Sequence, residues 1–116
     1  MPKVGDKKAK WEQRDDIRVC VQGLVHGGVA VHQGLGPVNV DQFTVTQLST
    51  GYVLCTVKLQ LDAKLIAEVF WRDCRKAMQL STAKETLSAL PRWVRPWIME
   101  CRRKGKYVDP ASFKNC

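Results

Sequence analysis

From Ile17 onward, apolar and polar positions alternate along the chain. Ile17, Val19 and Val21 fall on one side of the pattern and Arg18, Cys20 and Gln22 on the other, which is the period of a half-buried strand. His26-Gly27-Gly28 interrupts the pattern with residues suited to a tight hairpin, since glycine tolerates positive φ, and Val29 and Val31 open a returning strand. Gly34-Leu35-Gly36-Pro37 breaks that strand. Two longer strands are predicted next, Gln42 to Leu48 and Tyr52 to Leu61, joined by Ser49-Thr50-Gly51. Here Phe43 and Val45 share a face with Gln47, while Val53, Cys55, Val57, Leu59 and Leu61 share another.

At Asp62 the period changes from two to 3.6. Asp62 is the expected N-cap, because its carboxylate can accept from the free amides of a first turn. Leu65, Ile66, Val69, Phe70, Cys74 and Ala77 then recur as an apolar stripe, which predicts an amphipathic helix over 63–80 with Lys64, Glu68, Arg72, Arg75 and Lys76 on its other face. Thr82-Ala83-Lys84-Glu85 matches a capping box and opens a second, short helix that Leu90-Pro91 should end. Pro96 suits the first turn of a third helix through Trp97, Ile98 and Cys101, and Gly105 its C-terminal stop. The resulting expectation is one α+β domain over 17–105: an antiparallel sheet of about four strands in two hairpins, then an amphipathic helix and one or two short C-terminal helices. A basic flexible arm (1–16) precedes it, and a tail without clear period (106–116) follows.

Composition adds limits to this picture. A chain of 116 residues, 45% of them hydrophobic, is enough for one packed core. No apolar run approaches the ~20 residues of a membrane-spanning helix. Met1 to Lys10 carries charges but no hydrophobic stretch, so no signal peptide is expected and the protein should remain in the cytoplasm. The five cysteines are odd in number and scattered, and are therefore expected as reduced core thiols rather than a disulfide framework.

Charge changes the picture most. Nineteen Lys and Arg against eleven Asp and Glu leave a net +8, which favours a polyanion or an acidic protein as partner. The C-terminal stretch interleaves cations with aromatics: Arg92, Trp93, Arg95, Trp97, Arg102, Arg103, Lys104, Lys106 and Tyr107. That combination suits phosphates and unstacked bases, although tryptophans four residues apart on a helix equally suit a core. Lys7, Lys8 and Lys10 of the arm add further candidate phosphate contacts, and Phe43 and Tyr52 of the sheet add flat side chains.

Catalytic signals are missing by comparison. His26 and His32 are the only histidines and have no nucleophile motif beside them. The cysteines lack metal-ligand spacing, and the glycines fit neither a phosphate-binding loop nor a dinucleotide fingerprint. No enzyme, cofactor or metal is therefore expected. The leading expectation is a binding protein for nucleic acid, single-stranded and with little sequence preference. The alternative is a protein-interaction module, such as a viral or accessory inhibitor, directed at an acidic or nucleic-acid-processing protein. The exposure of Trp93 and Trp97 discriminates: exposure along a basic groove favours nucleic acid, exposure beside a charged rim favours a protein interface, and burial assigns them to the core. An unpaired edge strand would make a homodimer easy to form.

Overall fold

A computed structural model describes residues 11–18, 21–33 and 42–114. Five strands, β1 (Glu12–Arg18), β2 (Val21–His26), β3 (Val29–Gln33), β4 (Phe43–Gln47) and β5 (Val53–Val57), form one antiparallel sheet in the order β1-β2-β3-β4-β5. Five helices follow: α1 (Gln60–Asp73), α2 (Arg75–Met78), α3 (Ala83–Ala89), α4 (Val94–Lys104) and α5 (Ala111–Lys114). This is the expected α+β arrangement, with one strand more than the apolar pattern announced. The additional strand is β1, which overlaps the segment read as the end of the arm. Its sequence, EQRDDIR, has no apolar alternation, and it is joined to the sheet by backbone pairing with β2, Glu12 opposite Val25. The strand expected from Ile17 to Gln22 straddles the end of β1 and the start of β2. The rest of the arm, including Lys7, Lys8 and Lys10, lies outside the described residues.

The β2–β3 turn explains its own glycines. Gly27 has φ +61°, and a Cβ at either Gly27 or Gly28 would overlap the Trp71 indole of α1, so both positions require the bare backbone. Sheet and helix are thereby brought into direct contact at the hairpin tip.

In the second hairpin the alternation fails for an identifiable reason. Val45 pairs with Cys55 but Thr46 with Val53, which leaves Leu54 as the extra residue of a β-bulge. Leu54 and Cys55 are both buried, whereas Val53, expected on the same face as Cys55, is 40% exposed. The strand ends at Val57, so Leu59 and Leu61 are not strand residues: they sit at the start of α1, 62% and 63% exposed. Leu59 is the N-cap and makes no side-chain cap, while Asp62, the expected N-cap, falls in the first turn.

Helix α1 packs Ala63, Ile66, Ala67, Val69 and Phe70 into the core. The helix expected to continue to Leu80 stops at Cys74, whose φ and ψ (−128°, 32°) leave the helical region, and the single turn of α2 follows. The capping box at α3 forms as expected: Thr82 Oγ1 accepts from the Glu85 amide at 3.1 Å and donates to Glu85 Oε1 at 3.0 Å. α4 ends at Gly105 in the left-handed conformation (φ +68°), its amide bonded to the carbonyls of Arg102 and Cys101. The tail contributes α5, too short for a periodic signal.

The core joins Val29, Val31, Val45, Cys55 and Val57 of the sheet to α1 and to Val94, Trp97, Ile98 and Cys101 of α4. Cys55, Cys74 and Cys101 are buried free thiols, as anticipated, and burial raises the last two to about 12 and about 11. Cys20 and Cys116 lie outside the described residues. α4 also closes one edge of the sheet. The Lys58 amide just past β5 donates to Gly105 O at 3.1 Å, and the Arg102 guanidinium donates to Leu54 O at 3.1 Å. Among the described residues no helix is long and apolar enough to cross a membrane.

Candidate functional site

α4 follows Pro91 on the side of the sheet where β5 ends. Its residues Val94, Arg95, Ile98, Met99 and Arg102 recur at helical spacing and line one groove of about 650 Å³. The buried side chains of Leu54, Phe70, Val94 and Ile98 make its floor. The bulge matters here, because it turns Leu54 inward where regular alternation would not. Tyr52, Leu87, Leu90 and Met99 make the walls, and two of these stand well out into solvent, Leu87 at 39% and Met99 at 63% exposure. Pro91 and the exposed Arg92, Arg95 and Arg102 complete the lining, and among the described residues no acid takes part in it.

The structure therefore gathers three of the cations singled out in the sequence and separates the rest. Arg103 makes two hydrogen bonds to Glu100, at 2.7 and 2.8 Å, and Lys104 lies 3.6 Å from the same carboxylate. The hydrogen bond from Arg103 holds the Glu100 carboxyl below its usual range. Two members of the Arg102-Arg103-Lys104 run thus share an acid of their own helix. Arg102 differs from them: one of its five N–H donors bonds the β5 backbone while the residue still faces the groove. Lys106 is exposed and takes no part in the lining.

The aromatic half of the expectation is corrected for Trp97. Its side chain is completely buried, its Nε1–H donates to Val108 O at 2.6 Å, and its ring packs against Phe70 and Trp93 with both centroids at 5.6 Å. It is a core residue with its polar atom satisfied, so it offers no face to a base. Trp93 is half-buried against the same core, with Lys114 Nζ 5.0 Å from its ring centroid. Tyr107 is also half-buried against the core, and burial raises its hydroxyl. Of the two sheet aromatics, Tyr52 reaches the groove and Phe43 does not.

Leu54, Phe70, Leu87, Leu90, Ile98 and Met99 were not singled out as binding residues, although the pairing of Leu87 and Leu90 on a short, otherwise polar helix was visible in the sequence. Neither histidine lines the groove. His32 is buried, with Nδ1 2.9 Å from Gln33 O and Nε2 2.8 Å from Thr46 Oγ1. A carbonyl only accepts, so Nδ1 carries a proton and donates to Gln33 O. His26 stacks on Trp11, centroids 5.2 Å apart. Among the described residues no group of three potential metal ligands comes together.

No protein-family model matches the chain, and neither a curated protein nor a solved structure is significantly similar to it.

Proposed function

We propose that this protein is a non-enzymatic interaction module whose groove takes an acidic, apolar segment of a protein partner. The observation that carries the proposal is the composition of the lining: aliphatic and aromatic side chains edged by Arg92, Arg95 and Arg102, with no acid among the described residues. Apolar grooves fix a partner by burying its side chains, and unopposed arginines select one that carries carboxylates. The net charge of +8 steers such a partner inward from a distance and opposes basic competitors. A second reading is single-stranded nucleic acid on the same arginines, favoured by the net charge and by Tyr52 on the groove wall. The walls are otherwise aliphatic, which suits peptide side chains better than bases.

Fluorescence anisotropy decides between the two. A labelled Glu- and Leu-rich peptide and a labelled thymidine oligonucleotide are titrated with the protein at about 50 and 200 mM salt. The expected result is peptide binding that is lost when Met99→Asp places a carboxylate in the wall. Oligonucleotide binding with the steep salt dependence of phosphate contacts, and none to the peptide, would establish the second reading. Binding of neither probe at the lower salt would refute both.

A further inference from the structure

The groove also constrains the conformation of its occupant, on the reading that the occupant is an acidic peptide segment. Arg95 and Arg102 both line the groove and are separated by seven residues of α4, two helical turns or about 10.5 Å. Between them the same face presents Ile98 and Met99, and Leu87 of α3 and Leu90 just after it also line the groove. An extended peptide that binds by strand addition needs a free strand edge on which to place its backbone amides and carbonyls. The neighbouring edge is β5, where α4 stands in the way of a new strand at two points: Leu54 O accepts from Arg102, and Lys58 N beyond the strand donates to Gly105 O. A segment that satisfies its own backbone hydrogen bonds meets no such obstacle.

We infer that the occupant is a short amphipathic α-helix lying along α4, with carboxylates seven residues apart facing Arg95 and Arg102 and apolar residues at the intervening i+3 and i+4 positions. The spacing follows from matching one helix to another. Two acids at i and i+7 lie on one face two turns apart, which is the separation of the two arginines, and positions i+3 and i+4 fall between them on that face. Acids at i and i+5 would diverge by about 140° around the helix and engage one arginine at most.

The test uses the full chain and three labelled peptides of the same length. The first carries Glu at i and i+7 flanking Leu at i+3 and i+4. The second has the same composition with one Glu moved to i+5. The third is the first with a central proline, which breaks the helix. The first peptide should bind about tenfold or more tighter than either of the others. Arg95, exposed on α4, is then replaced by Arg95→Glu, and the facing Glu of the first peptide by Lys. Either change alone should weaken binding, and the two together should restore it.

Equal binding of all three peptides, each lost in the Met99→Asp variant, would overturn the helical inference while leaving the groove as an acidic-peptide site. Tighter binding of the proline peptide would likewise overturn it, in favour of an extended occupant. Failure of every peptide to bind would remove the proposed function and this inference together.

Discussion

Gln47 is the polar residue on which the packing of sheet against helices turns. It is completely buried on β4, and its side chain makes three hydrogen bonds: Nε2 donates to Ala77 O (3.1 Å) and to Thr86 Oγ1 (2.9 Å), and Oε1 accepts from Thr50 Oγ1 (2.7 Å). One side chain thus connects the sheet to α2, α3 and the β4–β5 turn. Gln47→Leu keeps the approximate volume and removes all three bonds. At about 1 kcal/mol net per hydrogen bond the loss is about 3 kcal/mol, partly offset by the greater apolarity of leucine. The partners are not all stranded: Thr86 Oγ1 still donates to Thr82 O, and Ala77 O still accepts from the Leu80 amide. The expected net cost is therefore about 2–3 kcal/mol, which for a domain of this size lowers Tm by about 10 °C. Urea and thermal melts followed by circular dichroism measure it, with an unchanged m-value as the sign that only stability has moved. A double-mutant cycle with Thr86→Val isolates the contact between the two side chains, with an expected coupling of about 1 kcal/mol. A Gln47→Leu variant melting within about 2 °C of the parent, together with zero coupling, would refute the reasoning.

Gly27→Ala should destabilise the fold by at least about 2 kcal/mol in chemical denaturation, because it adds left-handed strain and drives a methyl group into the Trp71 ring. Mass-spectrometric mapping after alkylation at pH 8 should find Cys55, Cys74 and Cys101 protected in the native protein and modified after unfolding, since burial both shields these thiols and keeps them protonated. Burial pushes the Asp73 carboxyl up, but hydrogen bonds from Arg72 and Lys114 outweigh it and hold the group below its ordinary 3.8. A depressed carboxyl stabilises the fold above its unfolded value and loses that contribution as pH falls through the folded one, so Asp73→Asn should flatten the loss of stability below about pH 4. Because the pair is partly solvated, the difference at neutral pH should stay below about 1 kcal/mol, and an unaltered acid limb would count against the assignment.

The boundaries of α3 and the end of α4 were legible because each carries its own local chemistry, whereas the start of α1 at Leu59 and its break at Cys74 carry none. The Thr82–Glu85 box, the Leu90-Pro91 stop and the Gly105 terminator all act within four residues, so sequence spacing alone locates them. β1 was not legible, because backbone pairing holds a strand whose side chains show no alternation. The Leu54 bulge escaped for a related reason: one inserted residue reverses every later assignment of faces, and nothing in YVLCTVKLQL marks where it falls. The candidate site divides in the same way. Its arginines were visible as charge. Its floor depends on Phe70 of α1, Leu54 of β5 and Ile98 of α4 meeting in space, and their separations in sequence carry no signal of that. Trp97 and Trp93 show the converse, since composition could not tell a stacking platform from a core, and the complete burial of Trp97 with its Nε1 bonded to Val108 O assigns it to the interior.

The closure of the sheet at β5 bears on how copies of this chain can associate. A sheet with two free margins can recruit neighbours at both and grow without limit. Here the C-terminal end of α4 occupies the β5 margin, and among the described residues β1 is hydrogen-bonded to β2 alone. Among the described residues, strand pairing between two molecules is therefore obstructed at β5, and β1 is the open margin. A β1-to-β1 contact uses up that margin on both partners at once, so the association ends at a pair and a filament has no second end from which to extend.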